Sequence, residues 1–240
     1  MNSYRQLTRA CEKLCAELEP LDFAPPVTHV YNPMVYARAS YFDYLRRYAT
    51  GPKRIVYMGM NPGPFGMTQT GVPFGEISLV RDFLGVKGRV EKPEHEHPKR
   101  PVDGFACTRS EVSGARLWGA IRAKHQVPDK FFAHSFISNY CPLVFMEESG
   151  RNRTPDKLRP NEREVLYEAC DRHLRTVIET LKPEYVIGIG KFAEGRARAA
   201  LAGIAITIGT IPHPSPASPA ANRGWAQQAE AALERLGVAL

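Results

Sequence analysis

The sequence predicts an α/β protein, a three-layer α/β/α sandwich in which helices cover both faces of a four-stranded parallel sheet. Two observations support this fold class: short apolar runs end at Gly- or Pro-rich turns, and helical patterns alternate with those runs along the chain. The 240 residues are 43% hydrophobic and 24% charged, as in ordinary globular domains. We therefore expect a single domain over residues 1–240 and exclude disorder, collagen and coiled coil.

Two helices are predicted in the first 48 residues. The first carries one apolar stripe, so its two cysteines are expected in the core rather than in a metal site. The stripe is Leu7, Cys11, Leu14, Cys15 and Leu18. After a Pro-punctuated stretch over residues 19–27, a second helix is predicted over residues 33–48, because a proline suits the first turn of a helix.

Four later segments predict buried strands, each ending at a turn: residues 53–60, 132–140, 185–189 and 205–211. Helical patterns lie between and after them, at residues 76–84, 114–125, 161–181, 191–201 and 226–236. Two polar segments, residues 85–101 and 147–160, predict surface loops. His95 and His97, in the first of these loops, are expected to be solvated rather than to bind a metal.

The composition also bears on partners and location. The chain has 32 Lys and Arg against 25 Asp and Glu, a net charge of +7 that favours a polyanionic partner. Its longest weakly polar stretch, residues 199–209, is shorter than the roughly 18 residues that cross a membrane, so no membrane partner is expected. Five scattered cysteines and no signal peptide favour an intracellular protein, and no compact basic tract is present, which favours the bacterial cytoplasm and nucleoid over the nucleus.

Open α/β sheets bind ligands at the carboxyl ends of their strands, so the residues that follow each predicted strand are the candidates for function. Asn61 follows the first strand, Asn139 ends the second and His213 follows the fourth. We expect these three side chains to converge in one cleft.

Three blocks of sequence carry a resemblance to a known family. They are residues 59–76 (GMNPGPFGMTQTGVPFGE), residues 139–143 (NYCPL), and HPSP at 213–216 with NRGW at 222–225. Their residues, order and separations closely resemble those of the single-strand-selective monofunctional uracil-DNA glycosylases, whose fold is a four-stranded parallel sheet between helices. The resemblance implies an enzyme of base excision repair that flips uracil out of DNA and hydrolyses its N-glycosidic bond, leaving an abasic site.

The resemblance also implies a partner and excludes others. The partner is DNA containing uracil, single- or double-stranded, and the protein is expected to be a monomer without cofactor or metal. A monofunctional glycosylase needs no amine nucleophile, and the three blocks contain no lysine.

The resemblance assigns roles to four residues. Phe74 is the ring on which uracil stacks, and the amide of Asn139 pairs with N3–H and O4 of uracil, a pattern that cytosine reverses. His213 donates a hydrogen bond to O2 as negative charge develops there. Asn61 orients the attacking water, although an amide cannot serve as a general base.

Further residues are assigned to the pocket and to DNA. Met60, Gly63 and Met67 are expected in the pocket wall, and the absence of a side chain at Gly63 leaves room for oxidised pyrimidines such as 5-hydroxymethyluracil. A wedge segment, residues 214–223, is expected to enter the duplex. Its small residues predict a stronger preference for single strands than is typical of the family. The residues expected to contact DNA are Pro214, Ser215, Pro216, Ala217, Ser218, Pro219, Asn222 and Arg223.

Basic side chains elsewhere are candidates for phosphate contacts: Lys53, Arg54, Arg81, Arg109, Arg116, Arg151 and Arg153. Two other functions stay open at this stage. Gly188 and Gly190 before a helix suggest a nucleotide-cofactor enzyme, but the motif follows the third strand instead of the first. A DNA-binding protein without catalysis is the second alternative. An iron–sulfur glycosylase is excluded because the five cysteines form no tight ligand cluster.

Overall fold

The computed structural model describes residues 2–218 and 221–240. Its strands are β1 (Val27–Tyr31), β2 (Ile55–Gly59), β3 (Ser135–Asn139), β4 (Val144–Glu147), β5 (Asn152–Arg153), β6 (Tyr185–Ile189) and β7 (Thr207–Ile211). Its α-helices are α1 (Ser3–Leu18), α2 (Pro33–Tyr36), α3 (Arg38–Tyr48), α4 (Met67–Thr70), α5 (Val112–His125), α6 (Pro128–Phe132), α7 (Pro160–Leu181), α8 (Lys191–Ala200) and α9 (Trp225–Glu234).

A four-stranded parallel sheet with the order β3-β2-β6-β7 forms the centre of the fold. Every residue of β2 and β3 is buried, as expected of parallel strands that are covered on both faces. Helices α1, α7 and α8 pack in one group and α5, α6 and α9 in another, and the helices flank the sheet. The four predicted strands and the predicted fold class are confirmed.

A second, three-stranded sheet was not predicted. Strand β1 pairs antiparallel with β4, and β4 pairs antiparallel with β5. The prediction of a plain surface loop over residues 147–160 is therefore wrong in part, because β5 lies within it. Strand β5 has only two residues and no apolar side chain, so it carries no periodic pattern.

Two predicted helices differ from those observed. The helix expected over residues 33–48 is interrupted at Ala37, whose φ and ψ of −105° and 24° lie outside the α-helical range. The helix expected over residues 76–84 is a single π-helical turn, Leu79–Phe83. The carboxylate of Glu76 accepts hydrogen bonds from the Ser78 hydroxyl (2.7 Å) and the Leu79 N–H (2.9 Å), which fixes the start of that turn.

His97 is buried and not solvated, so that expectation is wrong. Only 1% of the residue is exposed, and both ring nitrogens have backbone partners. Nδ1 accepts from the N–H of Lys99 (3.0 Å), and Nε2 lies 3.1 Å from the carbonyl oxygen of Glu147. His97 therefore ties the long loop over residues 85–101 to the end of β4, whereas His95 is exposed as expected.

Candidate active site

A cleft of about 690 Å³ lies at the carboxyl ends of the central strands. Its wall includes the segments that follow β2 and β7 and the last residue of β3, as the strand pattern predicts. Eleven of the residues expected in the site line it: Met60, Asn61, Gly63, Met67, Phe74, Asn139, His213, Ser215, Pro216, Ala217 and Ser218.

Asn139 is the last residue of β3, and only 5% of it is exposed. Its Nδ2 lies 3.4 Å from Sδ of Met67, a contact that orients the amide. The strand end itself is fixed because the N–H of Tyr140 donates to the carbonyl oxygen of Gly59 (2.9 Å) and the N–H of Cys141 donates to that of Met60 (2.9 Å). The amide is therefore held in a buried, preorganised position.

Phe74 has a positive φ of 54°, a conformation that is uncommon for a residue with a side chain and is concentrated at functional sites. The loop is fixed by its neighbours, since Trp118 Nε1 donates to the carbonyl oxygen of Pro73 (3.2 Å) and Thr70 Oγ1 lies 3.2 Å from that of Gly75. The ring is half-buried, and its centroid lies 6.1 Å from that of His213.

Gly59, the last residue of β2, allows the two recognition groups to meet. A Cβ at this position would collide with Oδ1 of Asn139 and would lie 2.6 Å from Cε2 of Phe74. The ring and the amide thus share the space that any other residue would fill. The sequence motif contained this glycine, but only the fold shows why the position requires it.

The imidazole of His213 has a defined tautomer. Its Nδ1 accepts a hydrogen bond from the N–H of Ser215 (3.1 Å), so the neutral ring carries its proton on Nε2. Burial lowers the pKa of His213 below its usual value, which favours this neutral form. The ring packs beside Gly190, where a side chain is disfavoured because φ is +93° and an added Cβ would lie 3.2 Å from Cβ of His213.

The amide of Asn61 is oriented by two carbonyl groups. Its Nδ2 donates to the carbonyl oxygen of Leu143 (3.0 Å) and lies 3.4 Å from that of Pro62. With Nδ2 engaged, Oδ1 remains the acceptor available to a water molecule. Asn61 can therefore orient a water without acting as a base.

Gly63 faces open space. A Cβ there would have no atom within 4 Å, and its φ is not in the left-handed region, so the backbone does not demand glycine at this position. The loop is held by Thr68, whose hydroxyl donates to the carbonyl oxygen of Gly63 (2.7 Å). Glycine at position 63 therefore leaves open space at the pocket, and this space is not a by-product of a backbone conformation that only glycine adopts.

The wedge segment is anchored by Arg116 of α5. This side chain donates from Nη1 to the carbonyl oxygen of Pro214 (3.0 Å) and from Nη2 to Oδ1 of Asn222 (2.9 Å). Nδ2 of Asn222 donates in turn to the carbonyl oxygen of Pro216 (2.9 Å). Pro214 is buried, its contact with DNA stays a prediction, and Pro219 lies outside the described residues.

The other basic candidates lie in different environments. The prediction that Lys53 contacts phosphate is wrong, because only 3% of the residue is exposed and its Nζ donates to the carbonyl oxygen of Phe132. Burial also lowers the pKa of Lys53 to about 8. Arg54, Arg81 and Arg153 pair with carboxylates. Of the seven candidates, Arg109 lines the cleft.

Several cleft residues were not predicted to belong to the pocket: Phe65, Ser110, Glu111, Val112, Ser113, Asn152 and Thr154. Glu111 caps α5, its carboxylate accepting from the N–H groups of Ser113 (3.1 Å) and Gly114, and burial raises its pKa. A Glu followed by a helical pattern could have indicated such a cap. No comparable signal marks Asn152, which reaches the cleft through the unpredicted β5.

The two glycines that suggested a nucleotide-cofactor enzyme have structural roles in this fold. A Cβ on Gly188 would clash with the backbone of α8, so this glycine serves close helix–strand packing, and Gly190 serves the His213 contact. Within residues 2–218 and 221–240 no group of three His, Cys, Asp or Glu side chains could hold a metal ion, and all five cysteines are unpaired. No helix in the same part of the chain combines the length and apolarity needed to span a bilayer.

Comparison with known proteins places the chain in a family. The profile described as the uracil DNA glycosylase superfamily matches residues 47–236. The single-strand selective monofunctional uracil-DNA glycosylase of Rattus norvegicus is 50% identical over 228 residues, which cover 94% of this chain and 82% of that protein. The protein of the same name from Bos taurus is 49% identical, with coverage of 94% and 84%.

A solved structure supports the fold independently of sequence. The crystal structure of wild-type Pedobacter heparinus SMUG2 superposes with a TM-score of 0.68 and covers 99% of both chains, at 18% identity. At this identity the likeness concerns the fold alone. On the family profile and the relatives of about half-identical sequence, the chain belongs to the single-strand-selective monofunctional uracil-DNA glycosylases of the uracil-DNA glycosylase superfamily.

Proposed function

We propose that this protein removes uracil from DNA by hydrolysis of the N-glycosidic bond and leaves an abasic site for base excision repair. The observation that carries the proposal is the meeting, in one cleft, of a half-buried ring, a buried amide, a neutral imidazole and a second amide. These are Phe74, Asn139, His213 and Asn61. Together they supply stacking, edge recognition, leaving-group stabilisation and water placement, the functions that excision of a flipped base requires.

Recognition comes first. Uracil stacks on Phe74 and presents its N3–H to Oδ1 and its O4 to Nδ2 of Asn139. Cytosine has an acceptor at N3 and a donor at C4, so it would leave both buried amide groups opposed by like partners. The backbone bonds at the strand end fix the position of Asn139, and its amide cannot turn over without losing the contact of Nδ2 with Sδ of Met67.

Bond cleavage follows. The bond between N1 of uracil and C1′ of deoxyribose breaks, its electron pair leaves with the base, and the charge spreads onto O2. The Nε2–H of His213 donates to O2 as this charge develops. One preorganised donor of this kind contributes roughly 10²- to 10³-fold in rate.

Hydrolysis completes the step. The oxygen of a water bound to Oδ1 of Asn61 adds to C1′, and the proton that the water loses passes to solvent or to the departing uracil anion. The carboxylate of Glu111 is committed to the N–H groups of α5, which supports a mechanism without a carboxylate base. Catalysis therefore depends mainly on stabilisation of the leaving group.

The proposed substrates also include oxidised pyrimidines such as 5-hydroxymethyluracil. The open space beside Gly63 supports this, because a substituent on the base needs a part of the wall without a side chain. Met60 and Met67 complete that wall.

We further infer that the protein is monomeric and acts on both single- and double-stranded DNA, with a preference for single strands. Ser215, Pro216, Ala217 and Ser218 border the cleft, and two of these, Pro216 and Ala217, are exposed and small. Small side chains fill poorly the gap that a flipped nucleotide leaves in a duplex. The names of the half-identical relatives, which include "single-strand selective", agree with this preference.

The proposal is tested by incubating the protein with uracil oligonucleotides and treating them with hot alkali, which cleaves DNA at abasic sites. Single-stranded uracil, U:G, U:A and 5-hydroxymethyluracil substrates are compared, with thymine and cytosine oligonucleotides as controls. We expect cleavage of the uracil substrates and none of the controls. Binding without any cleavage would instead establish a DNA-binding protein that lacks catalysis.

A further inference from the structure

Phe65 and two arginines form a cluster at the wall of the cleft. Phe65 lies in the loop after β2 and is half-buried. The guanidinium carbon of Arg109 lies 4.4 Å from the centroid of its ring, and that of Arg100 lies 5.5 Å away. Phe65 and Arg109 both line the cleft that contains Phe74, Asn139 and His213.

The two arginines differ in whether their guanidinium groups are already hydrogen-bonded to the backbone. Arg100 is half-buried and is engaged by backbone, since it donates to the carbonyl oxygens of Gly150 (2.8 Å) and Lys99 (2.9 Å). Arg109 is exposed. Within the described part of the chain, neither forms an ion pair with a carboxylate. The cluster is therefore a patch of positive charge beside the pocket.

At 4.4 Å from the ring centroid, the guanidinium of Arg109 makes a close cation–π contact with Phe65. A group held in this way has lost part of its conformational freedom before any ligand binds, which favours binding. The planar guanidinium can stack against a nucleobase, and proteins that bind single strands commonly use arginine planes and aromatic rings as stacking surfaces.

We propose that Arg109, held on Phe65, is the stacking site for the unpaired base next to the flipped uracil in single-stranded DNA. The inference rests on the proposed function, because it places this base relative to a uracil bound between Phe74 and Asn139. Arg109 lines the same cleft as Phe74 and Asn139, which makes a base next to the bound uracil the candidate partner for its guanidinium.

The proposal gives the single-strand preference a second physical cause, in addition to the small residues of the wedge segment. In a duplex the neighbouring base is already stacked and paired, so it must leave those contacts to reach Arg109. In a single strand it is largely free. The stacking site therefore strengthens the binding of single-stranded substrates, whereas a contact with phosphate alone would strengthen the binding of single-stranded and duplex DNA alike.

The test combines variants of the protein with variants of the substrate. Single-stranded uracil oligonucleotides are made with a tetrahydrofuran abasic analogue at the nucleotide 5′ or 3′ of the uracil, and kcat/KM is measured for each. For the wild-type protein we expect a loss of about tenfold when the base on the contacted side is absent, in the range for one stacked base.

Arg109→Lys keeps the charge and removes the plane. We expect this variant to have the lower kcat/KM on the intact oligonucleotide and to show no further loss when the neighbouring base is removed. Phe65→Leu removes the ring beneath the guanidinium. Like Arg109→Lys, it should reduce the loss of kcat/KM that follows removal of the neighbouring base. Arg151→Ala is the matched control, an exposed arginine that does not line the cleft, and it should keep the wild-type sensitivity.

Two results would overturn the inference: a wild-type protein that is indifferent to loss of either neighbouring base, or Arg109→Lys with wild-type sensitivity. Both leave excision of uracil intact and so leave the proposed function standing. Failure of the wild-type protein to release uracil from any substrate would overturn the proposed function, and this inference with it.

Discussion

At the scale of single residues, the sequence indicated the groups that bear chemistry but not their contacts. Asn61, Asn139 and His213 could be predicted because they end or follow strands, and such positions converge in an open α/β sheet. The contact between Phe65 and Arg109 could not, because it joins distant segments of the chain that no local pattern relates. The burial of Lys53 was hidden for the same reason, since it depends on the carbonyl group of Phe132.

The pH dependence of the reaction follows from His213. Burial lowers its pKa, so the neutral, donating imidazole persists as pH falls through 6.5, the usual value, and is lost only below it. We expect the single-turnover rate to stay level from pH 8 to about 6.5 and to decline at lower pH. A rate that rises as pH falls through 6.5 would show that the imidazolium is the active form.

Gly59→Ala should impair catalysis without unfolding the protein. The added methyl group would displace Asn139 or the Phe74 ring, so kcat/KM for uracil should fall at least about tenfold, the equivalent of 1.4 kcal/mol. Gly119→Ala is the control, because a Cβ at that helical position meets nothing within 4 Å. It should retain full activity and gain up to about 1 kcal/mol of stability. Unchanged kcat/KM in Gly59→Ala would refute the steric role assigned to this glycine.

At the scale of secondary structure, helices and strands were predicted correctly where the hydrophobic pattern of the sequence matches the burial of the element in the fold. All four central strands lie between turns, and β2, β3 and β6 are buried along nearly their whole length, whereas the edge strand β7 is partly exposed. Strand β1 was missed because its burial alternates imperfectly and a register shift separates Val27 from His29. The break at Ala37 and the π-helical turn depend on tertiary contacts, which a helical periodicity does not reveal.

The packing of α1 against α7 makes stability depend on pH. His173 of α7 is buried, neither ring nitrogen makes a hydrogen bond of normal geometry, and burial lowers its pKa to about 4, despite the nearby backbone of Ala10 and carboxylate of Glu17. Because its unfolded pKa is about 6.5, the unfolded chain binds the proton first as pH falls. Stability present above pH 6.5 should be lost towards pH 4, by about 3 kcal/mol.

Urea unfolding at pH 5 and pH 7.5 measures this effect. His173→Leu should lose less stability on acidification than the wild-type protein, by about 2 kcal/mol. The control is His134→Leu, because His134 is exposed and its replacement should leave the wild-type pH dependence. If His173→Leu keeps the wild-type difference between the two pH values, the buried imidazole is not its source.

At the scale of the whole molecule, charge and chemistry are separated. The net charge of +7 favours association with DNA, but five of the seven basic side chains named as candidate phosphate contacts bind other groups of the protein. The groups assigned to catalysis are neutral. The basic composition indicated the class of partner, and the arrangement of neutral side chains at the strand ends indicates the reaction. The intracellular location stays a prediction.

Single-stranded substrates should therefore be processed faster than duplexes. Equal concentrations of one uracil oligonucleotide, free or annealed opposite guanine or adenine, are compared at constant ionic strength, since salt alone alters DNA affinity. We expect the higher kcat/KM on the single strand, because the small wedge residues fill the duplex gap poorly. Equal rates on all three forms would contradict this account of the wedge.

The central claim is that a neutral His213 drives departure of uracil while Asn61 only positions water. Its most direct test is the single-turnover rate of uracil release from single-stranded DNA by the wild-type protein, His213→Ala and Asn61→Ala. We expect His213→Ala to be roughly 10²- to 10³-fold slower and Asn61→Ala to be severely impaired, with unchanged circular dichroism and Tm. A His213→Ala protein that releases uracil at the wild-type rate would contradict the claim.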